Sequence, residues 1–171
     1  MRTDNSTSPA TAGTGSGGTT PEQYLAFHPD DLASTSPIQP YDTAVLQSVE
    51  TGLWCRLAPL TSNQTQIGMV CDQSSAATGT PLTYTGDGLS YNGIDLVATG
   101  PGQPLLLENT TRVPVAGPSA DNLTLAPAPV GERFTPSNIF QIAVALAGQV
   151  ACCDDGGSDY DLAFMACVHN Q

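Results

Sequence analysis

Few residues in this chain could carry covalent chemistry, and their spacing argues against it. Nucleophilic catalysis needs a nucleophile, a base within hydrogen-bond reach and a group that orients the base. The two histidines are His28, directly before a proline, and His169. Neither sits in a motif, and no Gly-x-Ser-x-Gly turn occurs. Both are expected to be ordinary surface or packing residues. Glycosidase-type chemistry needs two carboxyl groups across a cleft. Asp87, Asp95, Glu108, Asp154, Asp155, Asp159 and Asp161 are available, but mostly in segments that read as turns. No catalytic residue is assigned, and the chain is expected not to be an enzyme. The densest group of oxygen ligands is Asp154, Asp155, Asp159 and Asp161, in a Gly-containing run of the kind calcium can occupy. The run lacks EF-hand spacing and its bidentate Glu, so a solvated acidic turn is the plainer expectation. No other cofactor is expected.

The five cysteines carry more information. Cys-x-x-Cys is absent, which argues against zinc. In an oxidising compartment five cysteines suggest two disulfides and one leftover thiol. The natural pairs are Cys55 with Cys71, and Cys167 with Cys153 or its neighbour Cys152. Taking Cys153 as the partner leaves Cys152 free or available to another chain. Adjacent strand residues face opposite sides of a sheet, so only one of the two can close the hairpin. Each bridge would clip a hairpin-like loop and contribute about 3 kcal/mol through the unfolded state.

The compartment is also legible in composition. Only 12% of residues are charged and the net charge is −12, because the chain has four basic residues. Such a surface repels phosphate backbones and anionic lipid, so neither nucleic-acid binding nor membrane insertion is expected. Four Asn-x-Ser/Thr acceptor sites for N-glycosylation, at Asn5, Asn63, Asn109 and Asn122, lie in segments that read as loops. An extracellular or cell-surface glycoprotein is expected. The polar start, Met1-Arg2-Thr3-Asp4, has no signal-peptide character, so the chain is expected to be an excerpt or a processed piece of a longer protein.

The elements that must position these residues read as short strands. Residues 1–20 are Ser/Thr/Gly-rich and predict a flexible linker or tail. Residues 21–40 predict an extended arm with a few anchoring aromatics, packed on the surface of a β domain spanning 41–171. Strands are expected at 43–49, 53–60, 67–71, 82–85, 89–91, 94–97 and 104–107, with turns at Gly86-Asp87-Gly88 and Asn92-Gly93. Residues 112–132, rich in proline, predict an extended connection or edge strand. At 138–146 a capping signal from Thr135-Pro136-Ser137 competes with the alternation of Phe140, Ile142, Val144 and Leu146. Strand is preferred, with a final hairpin around Asp154–Gly157.

A 48-residue step relates Thr51-Gly52, Thr99-Gly100 and Ala147-Gly148. Leu46, Ile94 and Ile142 share it, as do Val49, Val97 and Ala145. Leu57 and Leu105 continue it, and Met69-x-Cys71 recurs two steps on at Met165-x-Cys167. The expected fold is therefore all-β, short-stranded and disulfide-bonded. A β-trefoil-like arrangement of three units is favoured, and a β-sandwich or Greek-key barrel is the alternative. Trp54, beside a disulfide cysteine, is expected to be core. Its rival role is sugar stacking together with Tyr84 and Tyr91. The recurring Gln-x-Trp of ricin-type trefoil lectins is absent, which weighs against that kind of lectin.

Leu46-Gln47-Ser48-Val49-Glu50-Thr51-Gly52-Leu53-Trp54-Cys55-Arg56-Leu57 and Tyr84-Thr85-Gly86-Asp87-Gly88-Leu89-Ser90-Tyr91-Asn92-Gly93 resemble modules of green-algal extracellular glycoproteins, of cell-wall and mastigoneme-type ciliary-surface kinds. The resemblance covers about a third of the chain and carries no catalytic motif. It implies a structural or adhesion module whose partners are other extracellular chains or modules. A carbohydrate-binding domain is the alternative, with glycans as partners.

Overall fold

The computed structural model describes residues 22–86, 88–108, 124–126, 139–146, 149–158 and 161–169. They form twelve strands and one 3-10 turn, and the fold is all-β. The strands are β1 Tyr24–Phe27, β2 Thr43–Ser48, β3 Trp54–Pro59, β4 Ile67–Gln73, β5 Leu82–Tyr84, β6 Leu89–Tyr91, β7 Ile94–Ala98, β8 Leu105–Glu108, β9 Thr124–Ala126, β10 Gln141–Leu146, β11 Gln149–Asp154 and β12 Ala166–His169. The first eight pair in the order β1-β2-β3-β4-β8-β7-β6-β5, and a β2–β5 pairing closes β2 to β8 into a seven-stranded antiparallel barrel. Closure removes the open edges that would otherwise invite aggregation. β9 to β12 form a second sheet in the order β12-β11-β10-β9.

Turn chemistry sets the barrel hairpins. Asn92 and Gly93 adopt φ of 53° and 80°. This is the left-handed pair that a two-residue hairpin turn requires and that Asn-Gly supplies with little strain. Gly52, at φ 74°, ends the turn between β2 and β3, where its N–H donates to Ser48 O at 2.9 Å. β2 and β3 pair at one position only, Gln47 with Trp54. Beyond it Thr80 takes over from β2. Thr80 N–H donates to Cys55 O, and its Oγ1 accepts from Leu57 N–H at 2.9 Å.

One core joins the two sheets. Tyr24 and Ala26 from β1 and Leu46, Cys55, Met69, Leu89, Leu96 and Leu105 from the barrel pack in the same cluster as Ile142, Val144, Ala151, Cys153 and Cys167 from the second sheet. At 140–146 the alternation wins over the capping signal. Phe140, Ile142 and Val144 are buried in that cluster, and a strand can present them together only at period two. A smaller cluster of Ala58, Leu60, Val70, Leu106 and Phe164 lies on the outer side of β3, β4 and β8.

The arm does more than cover the surface. Tyr24 and Ala26 are fully buried, and β1 pairs with β2 from Tyr24↔Ser48 to Phe27↔Val45. Tyr24 also bridges to Phe140, each N–H donating to the other's carbonyl, so β1 spans barrel and second sheet. The folded part thus includes residues 22–27, earlier than position 41, because alternate arm side chains are apolar and fill the core.

The 48-residue step coincides with hairpins. The turn after β2 carries Thr51-Gly52 and that after β7 carries Thr99-Gly100. Leu46 and Ile142 are both fully buried. Met165 N–H donates to Met69 O at 2.8 Å, so the two Met-x-Cys copies lie against each other. The units differ in pairing: the first two hairpins belong to the barrel and the third to the other sheet. Ala147-Gly148 lies outside the described residues.

Candidate functional site

Two cross-strand bridges hold the framework: Cys55–Cys71 between β3 and β4, and Cys153–Cys167 between β11 and β12. All four cysteines are buried, and Cys152 is the free thiol, half-buried. Burial, and then the nearby Asp154 carboxyl, push the Cys152 thiol up from its ordinary value, which reduces the reactive thiolate.

Trp54 is not core. Cys55 is buried and bridged to Cys71, whereas Trp54, across a register shift in the β3–β4 ladder, shares a row with the half-buried Gln47 and Gln73. The Trp54 ring is half-buried on the outer surface, 5.1 Å from the Phe27 ring. Leu25, Gln47, Trp54 and Gln73 are cross-strand partners in one row over β1 to β4. Beside this row Arg56 grips Asp72 through two hydrogen bonds, Nε to Oδ1 at 2.8 Å and a terminal nitrogen to Oδ2 at 3.0 Å. Hydrogen bonding from Arg56 holds the Asp72 carboxyl below its usual range. The Gln73 amide donates to Asp72 and the Gln47 amide to Gly52 O. An aromatic ring flanked by amides and a guanidinium–carboxylate pair is the kind of surface that stacks on a sugar and hydrogen-bonds its hydroxyls. Tyr84 and Tyr91 do not join it. The Thr83↔Ser90 and Tyr84↔Leu89 register puts them at opposite ends of the β5–β6 hairpin.

Behind this face is a cluster that the spacing of residues did not signal. Glu22, 7% exposed, sits where β1, β2 and β11 meet. Its Oε2 accepts from Ser48 Oγ at 2.6 Å, and its Oε1 accepts from Asp155 N–H at 2.7 Å and from Tyr24 Oη at 3.3 Å. Glu22 N–H donates to Asp154 Oδ1 at 2.9 Å, and Asp155 Oδ1 accepts from Cys71 N–H at 3.1 Å. Burial raises all three acids: Glu22 to about 8, Asp155 to about 7 and Asp154 to about 6. The available signal was scarcity of base. With four basic residues against sixteen acids, buried carboxyls cannot all find a cation.

The acidic run is therefore not a solvated turn. Asp154 and Asp155 bind backbone amides of other elements. Asp161, 5% exposed, accepts from the Thr61 hydroxyl and from the Ser62 Oγ at 2.7 Å and N–H at 3.2 Å. Asp159 lies outside the described residues. Among the described residues, no group of three or more His, Cys, Asp or Glu side chains is arranged to hold a metal ion.

His28 lines an open cleft of about 390 Å³ with Asp30, Asp31 and Asp42. The cleft's polar groups are turned on its own loops: His28 Nε2 meets Ser36 O at 2.8 Å, Asp31 accepts from Ala33 N–H and Asp42 from Gln39 N–H. Asp95 lies on β7 opposite Glu108 on β8. His169 ends β12, opposite Ala151 on β11. Asp87 is outside the described residues.

Asn63 is exposed at the tip between β3 and β4, where its Oδ1 accepts from both Thr65 N–H at 3.1 Å and Thr65 Oγ1 at 2.7 Å. The asparagine and its sequon hydroxyl are thus presented together. Asn5, Asn109 and Asn122 lie outside the described residues. Two disulfides fit an oxidising, extracellular-type environment. Among the described residues no helix is long and apolar enough to cross a membrane.

Set against known protein families, curated proteins and solved structures, the chain matches none.

Proposed function

We propose that this chain is a non-enzymatic structural or adhesion module of a secreted glycoprotein assembly, with other extracellular chains or modules as partners. The observation that carries the proposal is how the buried carboxyl groups are used. Glu22, Asp154, Asp155 and Asp161 each accept hydrogen bonds from a different element of the fold, and so act as cross-ties. The two disulfides, the presented sequon at Asn63 and the likeness of 46–57 and 84–93 to algal extracellular modules support the same reading. The trefoil-like threefold plan belongs to this proposal, supported by the 48-residue recurrence of hairpins.

The row around Trp54 favours a second reading, a carbohydrate-binding module. Its ring is half-buried rather than enclosed, with Gln47, Gln73 and the Arg56–Asp72 pair beside it. Tyr84 and Tyr91 remain separate candidates at the far hairpin.

Both readings are tested by expressing the chain through a secretory pathway. Export with two intact disulfides and a glycan on Asn63 is expected. Intracellular retention with five free thiols would overturn the extracellular assignment. A glycan array with wild type and Trp54→Ala separates the readings. Flat binding by both fits the structural module, and binding lost in Trp54→Ala makes the chain a lectin.

A further inference from the structure

We propose that Glu22, Asp154 and Asp155 form a proton-locked clasp that fastens strand β1 between the barrel and the second sheet and releases it in alkaline solution. The geometry is that of a closure. β1 is short, and its two ends are held differently. Its pairing with β2 runs over four residues, while its attachment to the second sheet is the Tyr24–Phe140 bridge and the Glu22 contacts. Glu22 reaches two neighbours at once: Ser48 on β2, and β11 with its following turn through Asp154 and the Asp155 amide. Tyr24 Oη shares its one proton between Glu22 Oε1 at 3.3 Å and Cys153 O at 3.1 Å, linking the clasp to the buried disulfide.

The groups that face the clasp are almost all acidic. The segment leading into β1 supplies Glu22 and β1 supplies Tyr24, β2 supplies Ser48, and β11 with its following turn supplies Asp154 and Asp155. Glu50, in the turn after β2, acts on Asp154, and Asp72 on β4 acts on Asp155. Among β1, β2, β3, β4 and β11 the sole basic residue is Arg56, and Asp72 already holds it. Ionising Glu22 therefore places an uncompensated charge in a buried site beside two other carboxyl groups, an expensive arrangement. The strand can relieve it by leaving, since Glu22 stands two residues before the start of β1 and moves with it.

Burial raises Glu22 to about 8 from an ordinary value of 4.5. Between pH 6 and pH 9 that shift alone multiplies the opening constant of β1 by about 90-fold. Two measurements read it. Amide exchange at residues 24–27, corrected for the intrinsic effect of pH, should lose protection over this range, and at each pH it should report a smaller opening free energy than β3, β4 and β10, which open only in global unfolding. The emission of Trp54, the single tryptophan, should change in step, because its ring rests on Phe27 of β1. Glu22→Gln keeps an acceptor for the Asp155 amide and cannot ionise, so both responses should shrink to the part that Asp154 and Asp155 supply. Asp30→Asn, in the open cleft, should leave them as in wild type. Should Glu22→Gln fail to fold, Ser48→Ala serves. The Ser48 hydroxyl favours the charged carboxylate, so its removal should enlarge the loss of β1 protection and extend it to higher pH. Equal protection of β1 at pH 6 and pH 9 overturns the clasp. So does an opening free energy at β1 no smaller than that at β3 and β10, or a Glu22→Gln response like that of wild type. The outcome is independent of glycan binding and of secretion.

Discussion

Gly68 is where the second core cluster is tightest, and adding one methyl group there tests the packing. Gly68 lies on β4 between Ala58 of β3 and Leu106 of β8. A Cβ on this residue would stand 2.9 Å from Leu60 Cδ1, 2.9 Å from Phe164 Cδ2 and 3.0 Å from Leu105 O. Comfortable carbon contacts begin near about 3.5 Å, so all three neighbours must give way. Leu60 and Phe164 are side chains and can turn, although both are buried. Leu105 O is backbone at the start of β8, where its residue pairs with Ala98, and it cannot retreat without disturbing the barrel. Overpacking of this kind costs about 1–3 kcal/mol, and the fixed carbonyl places Gly68→Ala near the middle, at about 2 kcal/mol. With a urea slope of about 2 kcal/mol/M, the unfolding midpoint should fall by about 1 M. Combining Gly68→Ala with Phe164→Leu should recover about 0.5–1 kcal/mol relative to additivity, because the two share one space. A Gly68→Ala midpoint within about 0.2 M of wild type, or strict additivity in the double variant, would refute the reasoning and remove Phe164 from its place over the barrel.

Other predictions follow from the cross-links, the acids and the sequon. Replacing Cys55 and Cys71 together by alanine should cost about 3 kcal/mol in urea unfolding, as should replacing Cys153 and Cys167, since the bridges close loops of similar length. Peptide mapping of native protein under non-reducing conditions should find alkylation at Cys152 alone. Global stability should be highest in mild acid. Glu22, Asp154 and Asp155 are all raised by burial, so the folded state binds more protons than the unfolded state above pH 4–5. Stability is then lost as pH climbs towards the folded values of about 6 to 8. For Glu22 the loss from pH 5 to pH 8 is about 3–4 kcal/mol, and urea midpoints across that range check it. Stability that rises through neutral pH would contradict it. Asn63→Gln, expressed through a secretory pathway, should lose one glycosidase-sensitive step in electrophoretic mobility and leave the fold unchanged, because the Asn63 side chain is exposed and its hydrogen bonds from Thr65 stay within its own tip.

What was legible in the sequence was local. The strands from 43 to 107 follow from alternation and turn residues, and Asn92-Gly93 behaves as its chemistry requires. Cys55 with Cys71 was legible because two strands around a polar tip place them opposite each other. The face of Trp54 was misread: proximity to a disulfide suggested core, whereas its ring is half-buried in a row with Gln47 and Gln73. The Glu22 cluster was not legible. Its members are more than 130 residues apart in sequence, and a buried carboxyl differs from an exposed one only through its tertiary surroundings. The arm's role was hidden for the same reason. Four residues of alternating burial are too few to announce a strand, and its partners lie on two different sheets.

Cys152 beside Cys153 has a consequence for how the chain matures. Cys55 and Cys71 are close in sequence and can be oxidised before the later strands exist. The second bridge presents a choice between two adjacent thiols for one partner, and covalent chemistry alone does not discriminate between them. Strand pairing does. The Cys153↔Cys167 register turns Cys153 to the core and Cys152 to the opposite face. A slip of one residue would exchange them and send every side chain of β11 to the wrong side. Correct oxidation therefore depends on β11 and β12 docking first, on a core already built by the barrel. Thiol exchange takes seconds to hours, against microseconds for a hairpin, so the fold has time to proofread its own cross-link.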